Sequence, residues 1–366
     1  KLSMTDAAPS VPELPIVRPA PGPVPWPDAA RRSAFEAWLA PLVAPFELDT
    51  TSLRAASADA SFRRYLRIDS ARHGSLVLMD APPPQEDVRP FVDIAGRIAA
   101  AGLHGPKIHA ADTSQGFLLL EDLGRQLYLE ALVQASPREA DELMRAAIAA
   151  LVRWQQKVSF DGLPGYVGPT LQRGLALFPE WCVQREHGVS WNDDQRASWQ
   201  RLTEVLVTAM DAMPRVTLHR DWMPRNLMVA DPNPAILDFQ DAAAGPIAYD
   251  VASLLRDAFI SWDEEREIDW AARYWEQARR GALPVADDFG EFWRQLEWCG
   301  LQRHLRVLGV FCRLKHRDGK PRYAGDLPRF FAYATKVALR YRELQPLLPL
   351  IEPLSGIQLT TAFSMR

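Results

Sequence analysis

An α+β fold built in two parts follows from three features of the sequence. Between a proline-rich start and Gly124, apolar residues gather in short alternating runs separated by turn residues, as strands require. Beyond Gly124 they recur at helical spacing over long stretches. A strand-rich island at 216–240 interrupts that helical remainder. The expected organisation is a leader at 1–27, a β-rich unit at 28–123 and a helical unit at 124–366.

The leader carries eight prolines between Pro9 and Pro27, a content that resists helix and sheet and predicts an extended, flexible surface arm. Lys1-Leu2-Ser3 ahead of Met4 reads as added residues. Asp28 stands where a helix should begin, and Phe35, Trp38, Leu39 and Leu42 recur behind it with helical period. Residues 63–69 and 75–81 read as strands around a turn at His73-Gly74. A helix is expected at 86–101, then two strands at 106–111 and 116–122 around Thr113-Ser114. Further helices are expected at 137–157, 194–212, 249–261, 264–280, 287–315 and 328–343. Leu143, Ala147, Leu151 and Trp154 mark the apolar face of the first.

Composition narrows the function. A formal net charge of −4 argues against a nucleic-acid binder, which would show a strongly basic face. The sequence has no apolar run of the roughly 18 residues a membrane span needs. It also lacks a basic, apolar, small-residue secretory signal, so a cytoplasmic enzyme is expected. Cys182, Cys299 and Cys312 are too few and too scattered for a disulfide framework or a zinc site. Of 42 Lys and Arg residues only six are Lys, so arginine does nearly all the cationic work.

The sharpest chemical signal is His219-Arg220-Asp221-Trp222-Met223-Pro224-Arg225-Asn226, followed by Asp238-Phe239. The pattern is H-R-D-x-x-x-x-N, a short apolar hairpin, then D-F. Phosphoryl transfer needs a carboxylate to orient the attacking hydroxyl and take its proton, a role that fits Asp221. It also needs Mg²⁺ to neutralise phosphate oxygens, and the Asn226 carbonyl with the Asp238 carboxylate supplies two oxygen ligands. A hairpin of 227–229 and 236–237, turning at Asp231-Pro232-Asn233-Pro234, would return Asp238 to the loop.

These residues resemble the aminoglycoside phosphotransferase and choline kinase superfamily, relatives of protein kinases. The likeness is closest to bacterial anomeric N-acetylmuramate and N-acetylglucosamine kinases of cell-wall recycling. It extends over about residues 50–265, through Asp59–Tyr65, Val77–Pro83, Phe117–Gly124, Leu237–Ala242 and Gly245–Asp257. It implies a bilobal protein-kinase-like fold, with ATP and Mg²⁺ as cofactors and an amino sugar as the small-molecule partner. It also implies that Ser57–Phe62, with Ser61 and Phe62, covers the ATP phosphates. Phe117–Gly124, with Glu121 and Leu123, would then offer backbone groups to adenine. Read without the likeness, these segments are a hairpin turn, poor in glycine, and a buried strand with its turn.

Two departures stand out. Kinases carry a phosphate-binding Lys on the third strand; here that strand is Ser75–Ala81, Met79 most nearly fills the place, and no Lys occurs between Lys1 and Lys107. Arg64 shares a strand face with Leu66 and Ile68, so it is either the replacement phosphate ligand or a solvated surface charge. Met223 stands where relatives place a His or Lys, and a thioether cannot stabilise a phosphoryl group. Arg225 is a candidate replacement, through phosphate contact or through a salt bridge. Asp250 is read as a structural carboxylate stiffening the catalytic loop. Trp222, Asp241, Arg256, Asp257, Trp262 and Asp263 are acceptor candidates by proximity in sequence, although a Trp is more often core than platform. An antibiotic phosphotransferase, with Asp263-Glu264-Glu265 facing a cationic substrate, and a catalytically silent kinase-fold binding protein are the alternatives.

Overall fold

The computed structural model describes residues 24–58 and 62–356, which form two compact units. One comprises the residues up to 126 with 133–135 and 228–240; the other comprises 127–132, 136–227 and 241 onward.

In the first unit, Asp28 caps helix α1 (Ala29–Val43) by accepting a hydrogen bond from the Arg31 amide. Five strands follow: β1 (Leu48–Ala58), β2 (Arg64–Ser70), β3 (Gly74–Asp80), β4 (Ile108–Asp112) and β5 (Phe117–Glu121), with helix α2 (Arg89–Ala100) between β3 and β4. The sheet order is β1-β2-β3-β5-β4, antiparallel at each pairing. Leu66 pairs with Leu78, Ile68 with Leu76, and Leu78 with Leu119. Because side chains alternate along strands, this register gathers those residues on one face. There they pack with Phe35, Leu39, Leu48 and Phe117. The last leader residues join that core: Val24 and Trp26 pack against it, with the Trp26 ring 4.8 Å from Phe35. The surface arm expected for the leader therefore does not extend to Trp26; its residues 1–23 lie outside the described residues.

The expected elements appear with small shifts, but β1 escaped the sequence reading, as did a helix at Gly168–Leu177 and a strand at Ala243–Pro246. β1 lacks regular apolar alternation because it is an edge strand. Among the described residues its only sheet neighbour is β2, and its register slips between Asp49 and Arg54 and again between Ala55 and Ser57. The β1–β2 connection, residues 59–61, lies outside the described residues.

The second unit is mainly helical: α3 (Tyr128–Gln134), α4 (Pro137–Lys157), α5 (Gly168–Leu177) and α6 (Asp193–Asp211) precede the strand island. Of the island, β6 (Arg215–Leu218) and β9 (Ala243–Pro246) belong to this unit, while β7 (Leu227–Met228) and β8 (Ala235–Ile236) fall, from Met228 on, in the first. β6 pairs antiparallel with β9, and β7 with β8 as the expected hairpin. Then come α7 (Tyr249–Leu255), α8 (Glu264–Arg280), α9 (Phe289–His316), α10 (Leu327–Arg340) and α11 (Leu348–Ser355). α7 ends at Leu255 rather than 261, because Asp257 accepts hydrogen bonds from the Phe259 and Ile260 amides and turns the chain. α9 runs through the core of this unit. A Cβ at Gly309 would lie 2.4 Å from the Leu177 carbonyl carbon, so only glycine lets α9 approach α5 this closely. Among the described residues, no helix is long and apolar enough to cross a membrane.

Candidate active site

β6 leads directly into the His219–Asn226 loop. Arg220 adopts a left-handed backbone, φ 77°, which costs a non-glycine residue about 1 kcal/mol and must be held by its surroundings. The hold is Asp250, fully buried at the start of α7. Its carboxylate accepts the His219 amide at 2.6 Å and the Arg220 amide at 3.0 Å. The structural role read from the sequence is thus borne out. Burial pushes Asp250 up to about 7; the two amides and the Arg303 charge limit the rise, and the Asp221 charge adds to it. His219 is a core residue, its ring 5.5 Å from Trp154 and 5.6 Å from Trp222.

Asp221 is the exposed carboxylate of this loop, about a third accessible. Its Oδ1 accepts a 2.9 Å hydrogen bond from Nη1 of Arg303, a nearly buried residue of α9. The same Nη1 donates to the Arg220 carbonyl, and Nη2 lies 3.6 Å from the Met223 sulfur. Burial raises the Asp221 pKa, but the Arg303 and Arg306 charges outweigh it and hold the group below the usual carboxylate range. Asn226 donates its Nδ2 to the Asp221 carbonyl at 2.9 Å, which fixes the amide with its oxygen at the opposite end. In the β-rich unit, Asp238 is exposed with φ 56°, and its Oδ1 accepts a hydrogen bond from Gln240 at 2.7 Å. Phe239 beside it packs 4.6 Å from Phe91 of α2. Two residues of one motif thus hold costly left-handed backbones, as functional loops often do.

A comparison with known proteins now decides the class. A family model described as "Phosphotransferase enzyme family" matches residues 52–296. The chain belongs to this family. It is 50% identical to an N-acetylmuramate/N-acetylglucosamine kinase of Pseudomonas putida over 85% of this chain and 90% of the relative. It is 43% identical to one of Neisseria meningitidis over 91% of this chain and 99% of the relative. Among solved structures, the choline kinase LicA of Streptococcus pneumoniae superposes with a TM-score of 0.59 at 12% identity, covering 86% of this chain and all of that one. The phosphotransferase is accordingly a kinase-class enzyme with a protein-kinase-like α+β fold.

Within this phosphotransferase, several candidates read from sequence lie elsewhere than expected. Trp222 is fully buried beside Trp154 and His219, so it cannot be a sugar platform; its large apolar face fills the core under the loop. Arg256 is equally buried and spans Glu267 and Glu297, so its charge is spent within the helical unit and not on an acceptor. Asp241 and Asp263 are exposed, the latter at the start of α8. Asp257 is buried, and one of its carboxylate oxygens has no hydrogen-bond partner among the described residues. Trp262 packs edge-on at 5.0 Å to Trp270. Arg225 is exposed, with its guanidinium 5.4 Å from the Phe259 ring centre.

In the β-rich unit, Glu121 accepts from the Lys107 amide at 3.1 Å, and Leu123 is buried. Phe62 is exposed, and Ser61 lies outside the described residues. Arg64 faces the same side as Leu66 and Ile68, as expected, and its Nη2 donates to Asp80. Asp80 is wholly buried and also takes Arg31 Nε at 2.9 Å and Nη2 at 2.6 Å. Arg303 escaped the sequence reading. It lies far along the chain and beyond the stretch matched by the family model. The available signal was a run of polar residues, Gln302-Arg303-His304 and Arg306, set among Leu301, Leu305, Val307 and Leu308 in the middle of a long helix.

Proposed function

We propose that this phosphotransferase moves the γ-phosphate of ATP to the anomeric hydroxyl of N-acetylmuramate or N-acetylglucosamine. The product would be a sugar 1-phosphate, returning cell-wall sugars in peptidoglycan recycling. The observation that carries the reading is Asp221, partly exposed and kept ionised by Arg303, in a chain half-identical to kinases of those sugars.

In this reading the ionised Asp221 orients the sugar hydroxyl and takes its proton as the oxygen attacks phosphorus. Arg303 fixes the carboxylate rotamer through Oδ1, leaving Oδ2 to face the acceptor. Asn226 and Asp238 would hold Mg²⁺. Among the described residues no three His, Cys, Asp or Glu cluster as a metal cage. One amide oxygen and one carboxylate fit Mg²⁺, which fills its octahedral shell with water and substrate phosphates. When bound, the ion neutralises charge developing on the phosphate oxygens. Leu123, whose backbone amide and carbonyl have no partner among the described residues, is suited to pair with the adenine edge. The intact Asp221–Arg303 pair weighs against a silent binding protein.

The test is an ADP-release assay with N-acetylmuramate, N-acetylglucosamine, choline and an aminoglycoside as separate acceptors. The expected outcome is turnover with the two sugars and loss of the reducing end in step with ADP release. Turnover with choline or the antibiotic alone would overturn the sugar assignment, and an unchanged reducing end would overturn the anomeric one.

A further inference from the structure

Helix α9 places Arg303 and Arg306 one turn apart, on the same face. Arg303 is fully committed to Asp221, the Arg220 carbonyl and the Met223 sulfur. Arg306 is not. It forms no hydrogen bond or ion pair with any described residue, yet it is only partly exposed. Its stem lies against Gly174 of α5, where a Cβ would meet the Arg306 Cδ at 3.2 Å. Around it stand Tyr166 and Tyr249, their hydroxyls 3.0 Å apart. Two other cations already cover those rings: Arg220 lies 5.1 Å from the Tyr166 ring and Arg303 5.9 Å from that of Tyr249.

An arginine cannot shed its proton, so a half-buried one without a carboxylate or carbonyl carries an unmet cost. The natural complement is an anion, which the guanidinium can grip with two parallel bonds. ATP brings one candidate, its phosphates. Arg306, however, belongs to the helical unit, and its charge reaches Asp221, the base proposed above for the acceptor hydroxyl. The two sugars differ in one respect that matters here. N-acetylmuramate carries a lactyl ether ending in a carboxylate on oxygen 3; N-acetylglucosamine carries a plain hydroxyl.

We propose that Arg306 is the residue that recognises the acidic substituent of the acceptor, binding the lactyl carboxylate of N-acetylmuramate. The proposal rests on the sugar-kinase reading above and adds to it the feature that separates the two substrates. It assigns Arg306 to acceptor selection and leaves proton transfer to Asp221.

The readout is the ratio of kcat/KM for N-acetylmuramate to kcat/KM for N-acetylglucosamine, which cancels any loss common to both. Arg306→Gln should lower that ratio about ten- to hundredfold, the range expected for a charge-assisted bond, chiefly through KM. Arg306→Lys should recover part of it, since charge returns without the fork. The wild-type enzyme gives an independent check needing no variant: the methyl ester of N-acetylmuramate, which lacks the charge, should lose the same factor in KM. An unchanged ratio in Arg306→Gln, or an ester as good as the acid, overturns the proposal while the sugar kinase stands. A wild-type enzyme that phosphorylates neither sugar overturns the kinase reading and this proposal with it.

Discussion

Two carboxylate–arginine clusters, one in each unit, solve opposite problems with the same chemistry. In the β-rich unit Asp80 is wholly buried and held by two arginines, Arg31 and Arg64. In the helical unit Asp221 is about a third exposed and held by one nearly buried arginine, Arg303. The first cluster turns its carboxylate inward, where it fastens α1 to strands β2 and β3. The second buries the cation and leaves the carboxylate accessible, as the base role proposed for Asp221 requires. The contrast teaches that an Asp–Arg pair is read by which partner remains exposed, not by its presence.

The largest effect tests the exposed member. Asp221→Asn should lower kcat by about 10²–10⁴-fold, the usual contribution of a positioned base, with ATP affinity largely kept. Steady-state kinetics with nucleotide binding by calorimetry decide it; near-normal turnover would remove Asp221 from the role.

The next test addresses the buried cation. Arg303→Ala should lower kcat about 10–10²-fold, since the base loses its orientation. The pH profile separates this from a general loss of structure. Arg303 and Arg306 together hold Asp221 below the carboxylate range against the upward push of burial. With Arg303 gone, the Asp221 pKa rises, less of it is ionised in mild acid, and the acid limb of kcat/KM moves to higher pH. Arg303→Lys should restore part of both. A variant with reduced rate and an unmoved acid limb would make Arg303 a packing residue only.

In the inward-facing cluster the outcome should be reversed. Asp80→Asn leaves two arginines facing an amide in a buried place, and breaking such a pair costs about 3–5 kcal/mol. Urea denaturation should show the loss, while kcat of the folded fraction changes little. A stable variant with impaired turnover would assign Asp80 to catalysis and erase the contrast between the clusters.

How much of this was legible in the sequence follows from where the determinants lie. The loop His219–Asn226, Asp238 and the supporting Asp250 were readable because the motif fixes their spacing within one short stretch. The strands and long helices were readable because burial imposes a period. The partner of Asp221 was not, because Arg303 reaches the loop through the packing of α9 against α5, α7 and the loop itself, which no local pattern encodes. Trp222 and Arg256 were misplaced for the same reason. Nearness in sequence to the catalytic loop suggested the acceptor site, while the fold turned one into the core and the other between Glu267 and Glu297. β1 was missed because an edge strand with two register shifts has no clean alternation.

The smallest expected effect concerns Arg64, which the absence of an N-terminal lysine made the candidate for ATP phosphates. The structure gives that guanidinium a partner already, since its Nη2 is on Asp80 and its Nη1 on the Pro25 carbonyl, with the Trp26 ring 4.6 Å away. Arg31 also holds Asp80, so Arg64 can release Nη2 toward a phosphate without leaving the carboxylate alone. Arg64→Ala should therefore raise the KM for ATP by about tenfold, the low end of a charge-assisted contact, and leave the KM for sugar unchanged. The stability loss should be smaller than that of Asp80→Asn, because one arginine remains on the buried carboxylate. If the KM for ATP does not move while stability falls, Arg64 belongs wholly to the inward-facing cluster. The phosphates would then be held by Mg²⁺, backbone amides or Arg225. A raised KM with intact stability would instead make Arg64 the exposed member of its own cluster, bringing the two units under one rule.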